Sequence, residues 1–149
     1  MEIKEKIEND FKEALKKREA IVVSTLRMLK SAIHNKEIEK RSQRLQEAEV
    51  IKVIAKQAQQ RKDSIEQFAK AKRQELVEKE TKELGILKSY LPQQLKEEEI
   101  VNLVKGIIKE VGAKGKADFG RVMKLAMVEA AGKAEGKLVS QIVSQQLGP

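Results

Sequence analysis

Three Gly-Lys dipeptides, Gly115-Lys116, Gly132-Lys133 and Gly136-Lys137, crowd into one stretch near the end of the chain. Gly-Lys is the signature pair of a phosphate-binding loop. That loop also needs a glycine five positions earlier, a Ser or Thr directly after the lysine to hold magnesium, and a hydrophobic strand leading in. Here the lysines are followed by Ala117, Ala134 and Leu138. No hydroxyl stands ready for a metal, and the spacing argues against nucleotide hydrolysis.

The other chemistry-bearing residues have plain structural readings. The single histidine, His34, precedes Asn35 on a helix that needs a polar face, which makes it a solvated donor. With no cysteine, disulfides, thiolate zinc sites and cysteine nucleophiles are excluded. Glu97, Glu98 and Glu99 stand together at a helix start, where negative charge complements the macrodipole. Ser24, Thr25, Ser31, Ser140 and Ser144 have no histidine beside them in sequence to act as a base. No ligand set for a transition metal is apparent. The residues thus assign no catalytic group, no cofactor and no metal.

The elements that would position such residues are helices. Every one of the eight glycines lies between Gly85 and Gly148, and Met1 to Leu84 holds neither glycine nor proline. This contrast predicts two subdomains, 1–91 and 92–149, joined near Tyr90-Leu91-Pro92. In the first, apolar stripes run through Ile3, Ile7, Phe11 and Ala14, then Val22, Leu26, Leu29, Ile33 and, less regularly, Ile38. Ile21, Met28 and Ala32 broaden the second stripe, which predicts a central helix. Two more stripes follow, Val50, Ile54, Ala58, Arg61, Ile65 and Phe68, then Leu76, Leu84, Leu87 and Leu91. Arg61 sits on an apolar stripe and reads as a buried structural partner. Because an unbroken helix from Leu45 to Leu84 would be about 60 Å long, a turn is expected near Ala69 to Arg73. The second subdomain reads as three helices. Gly112 stops the first by going left-handed, Asp118 is placed to cap the second, and Gly132 follows the second's end. The fold class is all-α, with an N-terminal multi-helical domain and a small C-terminal three-helix domain.

The segments "LRMLKSAIHNKEIEK", "QRKDSIEQF", "RQELVEKETKELGILKSYLPQQL" and "VGAKGKADFGRVMKLAM…GKAEGKLVSQIVSQQL" closely resemble the YqeY-like proteins. The same unit forms the helical and tail regions of the B subunit of the tRNA-dependent glutamyl/aspartyl-tRNA amidotransferase. The most specific block runs from Tyr90-Leu91-Pro92 through Asp118-Phe119-Gly120-Arg121-Val122-Met123 to Gly136-Lys137. Lys96 and Glu135 depart from the family pattern, which commonly has a small capping residue and Asp there. The resemblance implies an all-helical chain related to the part of the amidotransferase that holds tRNA, without the cradle that carries its chemistry.

Charge points the same way. Thirty-one basic against twenty-three acidic side chains leave a net +8, which favours polyanionic partners because Lys and Arg contacts release phosphate counterions. Phe11, Phe68 and Phe119 lie on apolar stripes, so base stacking is not the expected mode; shape and phosphate reading of a folded RNA is. The candidate nucleic-acid contacts are Lys114, Lys116, Lys133 and Lys137 in the glycine-bearing connections, Arg121 and Lys124 on the following turns, and Arg27 and Lys30 in the first half. Amides at helix N-termini beside lysines make a phosphate cradle, though a purely geometric role for the glycines, Gly120 included, stands equally. The leading expectation is a nonenzymatic tRNA-binding module, with aminoacyl-tRNA or amidotransferase machinery as further partners. Two alternatives are an accessory part of glutamine-dependent carbon-nitrogen ligase activity and a helical protein-interaction scaffold. The start MEIKEKIENDF has neither the apolar core of a signal peptide nor a membrane span, so a cytoplasmic chain without a membrane partner is expected.

Overall fold

The computed structural model describes residues 2–148, and its regular elements are seven α-helices and one 3₁₀ turn. Among the described residues there is no strand. Contacts divide the chain into two compact units, Met1–Leu91 and Pro92–Pro149.

The first unit holds α1 (Ile3–Lys17), α2 (Ala20–Glu39), α3 (Glu47–Lys70) and α4 (Gln74–Lys88). Helix α1 stops at Arg18, whose φ of 56° is left-handed, and the Glu19 amide closes the end by donating to the Ala14 carbonyl at 3.0 Å. Helix α3 starts where the Glu49 carboxylate turns back to accept the Gln46 N–H at 3.1 Å. The expected break between the two long stripes is present: α3 ends at Lys70, Lys72 has a φ of 56°, and α4 begins at Gln74. Ile7, Leu26, Leu29, Ile33, Val50, Ile54, Leu84 and Leu87 form the core, each large side chain contributing about 1.5–3 kcal/mol by leaving water. Helix α2 is less apolar around its girth than its sequence suggests. Met28 is 49% exposed and Ile38 55%, because Met28 stands two residues, about 200° of helical rotation, from buried Leu26.

Two polar groups are built into this core. Tyr90 donates its hydroxyl to Asp10 Oδ2 at 2.6 Å, and burial together with the Asp10 charge pushes its pKa far upward, so the phenol keeps its proton as a donor. Arg61 lies between two carboxylates of α4, with NH1 3.4 Å from Glu80 Oε2 and Nε 3.1 Å from Glu83 Oε2. Its place on an apolar stripe is thus explained by an ion cluster tying α3 to α4. Burial, then the neighbouring Glu80 charge, raises the Glu83 pKa, and Arg61 offsets part of that rise.

The second unit is a three-helix bundle of α5 (Glu97–Val111), α6 (Phe119–Ala130) and α7 (Gly136–Leu147), with the 3₁₀ turn at Lys116–Asp118. Ile100, Val104, Ile107, Val122, Ala126, Val139, Ile142 and Val143 interdigitate at its centre. Gly112 ends α5 with a φ of 66°, the left-handed conformation the sequence predicts. Gly120 differs from expectation. A Cβ there would meet nothing within 4 Å, so no close backbone approach requires a glycine.

Candidate nucleic-acid interface

The candidate cations take their positions from how the three helices of the second unit reverse. Leu95 N–H donates to the Lys133 carbonyl at 2.7 Å, and Gln94 Nε2 to the Gly132 carbonyl at 2.9 Å. The start of α5 therefore sits beside the connection from α6 to α7. At the other end, Arg121 NH2 donates to the Val111 carbonyl at 3.1 Å, placing the last turn of α5 beside the first turn of α6. Helix α6 has 12 residues and so spans about 18 Å. Lys114 and Lys116 consequently stand at one end of the bundle, and Lys133 and Lys137 at the other. The Gly-Lys pairs form two separate sites rather than one cradle.

The two ends differ in charge. Residues 105–124 carry six basic and two acidic side chains, a net +4, and they form the end of α5, its connection and the first half of α6. The remainder of the unit carries three basic and five acidic side chains, a net −2, with Glu97, Glu98 and Glu99 opening α5 near Lys133. Helix dipoles work against this contrast: the basic end has one helix N-terminus and two C-termini, the acidic end the reverse. At about half a unit charge per terminus they shift each end by only half a charge, and the signs stand.

Asp118 shapes the basic end. It does not cap α6 as expected: its Oδ2 accepts the Lys114 N–H at 3.0 Å, and its Oδ1 lies 3.3 Å from Arg121. The carboxylate is drawn back onto the connection because the 3₁₀ turn ahead of α6 already gives the chain its entry. Arg121 is thereby committed to Asp118 and to the final carbonyl of α5. Lys114, Lys116 and Lys124 are exposed and, among the described residues, carry no ion pair. Lys105 and Lys109, one turn apart on α5, are exposed in the same way and extend the set. Sequence reasoning passed over both, since the net charge of 92–149 as a whole is only +2. The signal was present in a 20-residue window.

Lys133 and Lys137 are exposed too, but near the acidic end. In the first unit, Lys30 is engaged: its Nζ is 3.1 Å from Glu8 Oε1 and 4.2 Å from the centre of the Phe11 ring. The Arg27 guanidinium lies over the same ring at 5.7 Å. These two line a groove of about 550 Å³ between α1 and α2, together with His34. Among the described residues, no group of three or more His, Cys, Asp or Glu side chains could hold a metal ion, and no helix is long and apolar enough to cross a membrane.

A family model described as "Yqey-like protein" matches residues 4–147. Among relatives, the "Altered inheritance of mitochondria protein 41, mitochondrial" of Kluyveromyces lactis is 42% identical over 84 residues, covering 56% of this chain and 45% of the relative. The protein of the same name from Lachancea thermotolerans is 40% identical over 87 residues, 58% of this chain and 46% of the relative. The one from Saccharomyces cerevisiae is 36% identical over 87 residues, 58% and 47% respectively. The match spans under half the length of these relatives. Their mitochondrial naming overturns the expectation of a cytoplasmic chain. That expectation rested on the charge pattern of the stretch MEIKEKIENDF, which does not discriminate among compartments.

Proposed function

We propose that this chain, which belongs to the YqeY-like family, is a nonenzymatic module that grips the phosphate backbone of folded RNA, tRNA foremost, through the basic end of its C-terminal bundle. The observation that carries the reading is the net +4 over residues 105–124, where Lys105, Lys109, Lys114, Lys116 and Lys124 stand exposed and, among the described residues, carry no ion pair. Five exposed cations on the second half of α5, the connection and the first half of α6 can release counterions from a phosphate surface, whereas cations already paired to carboxylates gain less. The aromatic rings support phosphate reading over base stacking, because Phe11 and Phe119 are packed against their cores. The resemblance of the segments quoted above to the tRNA-holding part of an amidotransferase supports RNA as the ligand class. The mitochondrial naming of the relatives supports an organellar tRNA pool as the target.

The test is a filter-binding titration of the whole chain against total tRNA and duplex DNA of matched length at two salt concentrations, with glutamine hydrolysis assayed in parallel. Salt-sensitive binding that favours tRNA, without glutamine turnover, is the expected result. Equal affinity for both nucleic acids would reduce the reading to general polyanion attraction. Glutamine hydrolysis abolished by a point change in this chain would replace it with an amidotransferase role.

A further inference from the structure

We propose that the outer face of α2 is a docking surface for an acidic helix of another protein, a role independent of the RNA reading. Arg27, Met28, Ser31, His34, Asn35 and Ile38 recur at helical spacing on the side of α2 turned away from Leu26, Leu29 and Ile33, and all six are exposed. In a chain with 36% charged residues, no carboxylate occurs from Ala20 through Lys36, and Arg27 is the one charged member of this face. Depletion of charge around exposed Met and Arg is the composition of a protein interface, not of a solvated helix surface. Met28 is 49% and Ile38 55% exposed, about 15 Å apart along the helix. Met28 is also held in place, because Arg61 NH2 lies 3.6 Å from its sulfur. A pre-set apolar side chain loses little freedom on being covered.

Charge selects the occupant. Among the described residues, this face offers a phosphate backbone one cation, Arg27, since Lys30 is taken by Glu8, against five lysines without an ion pair over residues 105–124 of the other unit. A second copy paired symmetrically through this face would set Arg27 against the same acid-free surface and offer it no carboxylate. A helix carrying Asp or Glu between apolar residues satisfies both features: its carboxylates meet Arg27, and its apolar side chains cover Met28 and Ile38. Arg27, Ser31 and His34 also edge the groove of about 550 Å³ between α1 and α2, where Glu8 and Glu37 are already paired to Lys30 and Lys4, so Arg27 is the charge this edge offers a carboxylate.

The experiment places a photo-crosslinking benzophenone side chain at position 28 or 38 of the full chain in its native cell, with Lys12 as an exposed control. The expected result is one common protein crosslinked from positions 28 and 38 but not 12. Its two contact points should lie about ten residues apart, on a helical segment rich in Asp and Glu, as the 15 Å separation requires. Arg27→Glu, and independently Ile38→Glu with the probe at 28, should cut the yield about ten-fold or more at unchanged helicity. Lys114→Gln with Lys116→Gln should leave it unchanged, which separates this surface from RNA binding. Adducts to RNA, to the chain itself or to scattered unrelated proteins would overturn the proposal, and so would the absence of any adduct at both positions.

Discussion

Changing Lys114 and Lys116 together to Gln should flatten the salt dependence of tRNA binding, whereas the same change at Lys133 and Lys137 should barely alter it. Residues 105–124 carry five exposed lysines that have no ion pair among the described residues, and each phosphate contact contributes roughly 0.7–0.9 to the slope of log K against log salt. If all five engage, the slope is about −3.5 to −4.5, and raising salt from about 50 to about 200 mM weakens binding roughly one- to five-hundred-fold. Removing two contacts leaves a slope of about −2.1 to −2.7 and a loss of roughly twenty- to forty-fold over the same interval. At the opposite end, phosphates approaching Lys133 and Lys137 must also approach Glu97, Glu98 and Glu99, so contacts there are few. Filter binding or fluorescence anisotropy with total tRNA over that salt range reads the slopes, and circular dichroism confirms that both variants remain helical. Equal changes in slope from the two pairs would refute the charge argument. A larger effect at Lys133 and Lys137 would reverse it and favour the connection between α6 and α7.

Arg61→Met should destabilise the first unit by about 2–4 kcal/mol in urea denaturation, because two largely buried carboxylates lose their shared partner; the triple change Arg61→Met, Glu80→Leu, Glu83→Leu should restore most of that loss. A harmless Arg61→Met would mean that the cluster is solvated. Because folding raises the Glu83 pKa, its ionisation opposes the fold, so the stability of the parent relative to Glu83→Gln should fall as pH rises from about 4.5 through the raised value, then level off. A difference that stays flat between pH 4.5 and 8 would show that Arg61 compensates the buried charge completely. Gly112→Ala should cost on the order of 1 kcal/mol for its left-handed φ of 66°, whereas Gly106→Ala, inside α5 with nothing within 4 Å of the added Cβ, should stabilise by about 0.5–1 kcal/mol. Thermal melts distinguish the two, and equal shifts would contradict the backbone assignment at Gly112.

The helices, and the break between α3 and α4, were legible because each is a local matter: apolar spacing announces a buried face, and a continuous helix would have been too long. Arg61 was legible for the same reason, a charge on an apolar stripe being costly unless the fold supplies an acid. Met28 and Asp118 were misread because their sequence neighbourhoods are ambiguous. A methionine next to a stripe is buried or solvated according to one step of rotation, and an aspartate at a helix start can bond forward to α6 or back to Lys114. The candidate site was legible as residue types but not as a place. Gly-Lys pairs close together in sequence are parted by the length of α6, while Lys133 is brought near Glu97, Glu98 and Glu99 more than 30 residues upstream. What a lysine offers a phosphate depends on the acids the fold sets beside it. Lys105 and Lys109, without a motif of their own, become candidates because α5 ends where α6 begins.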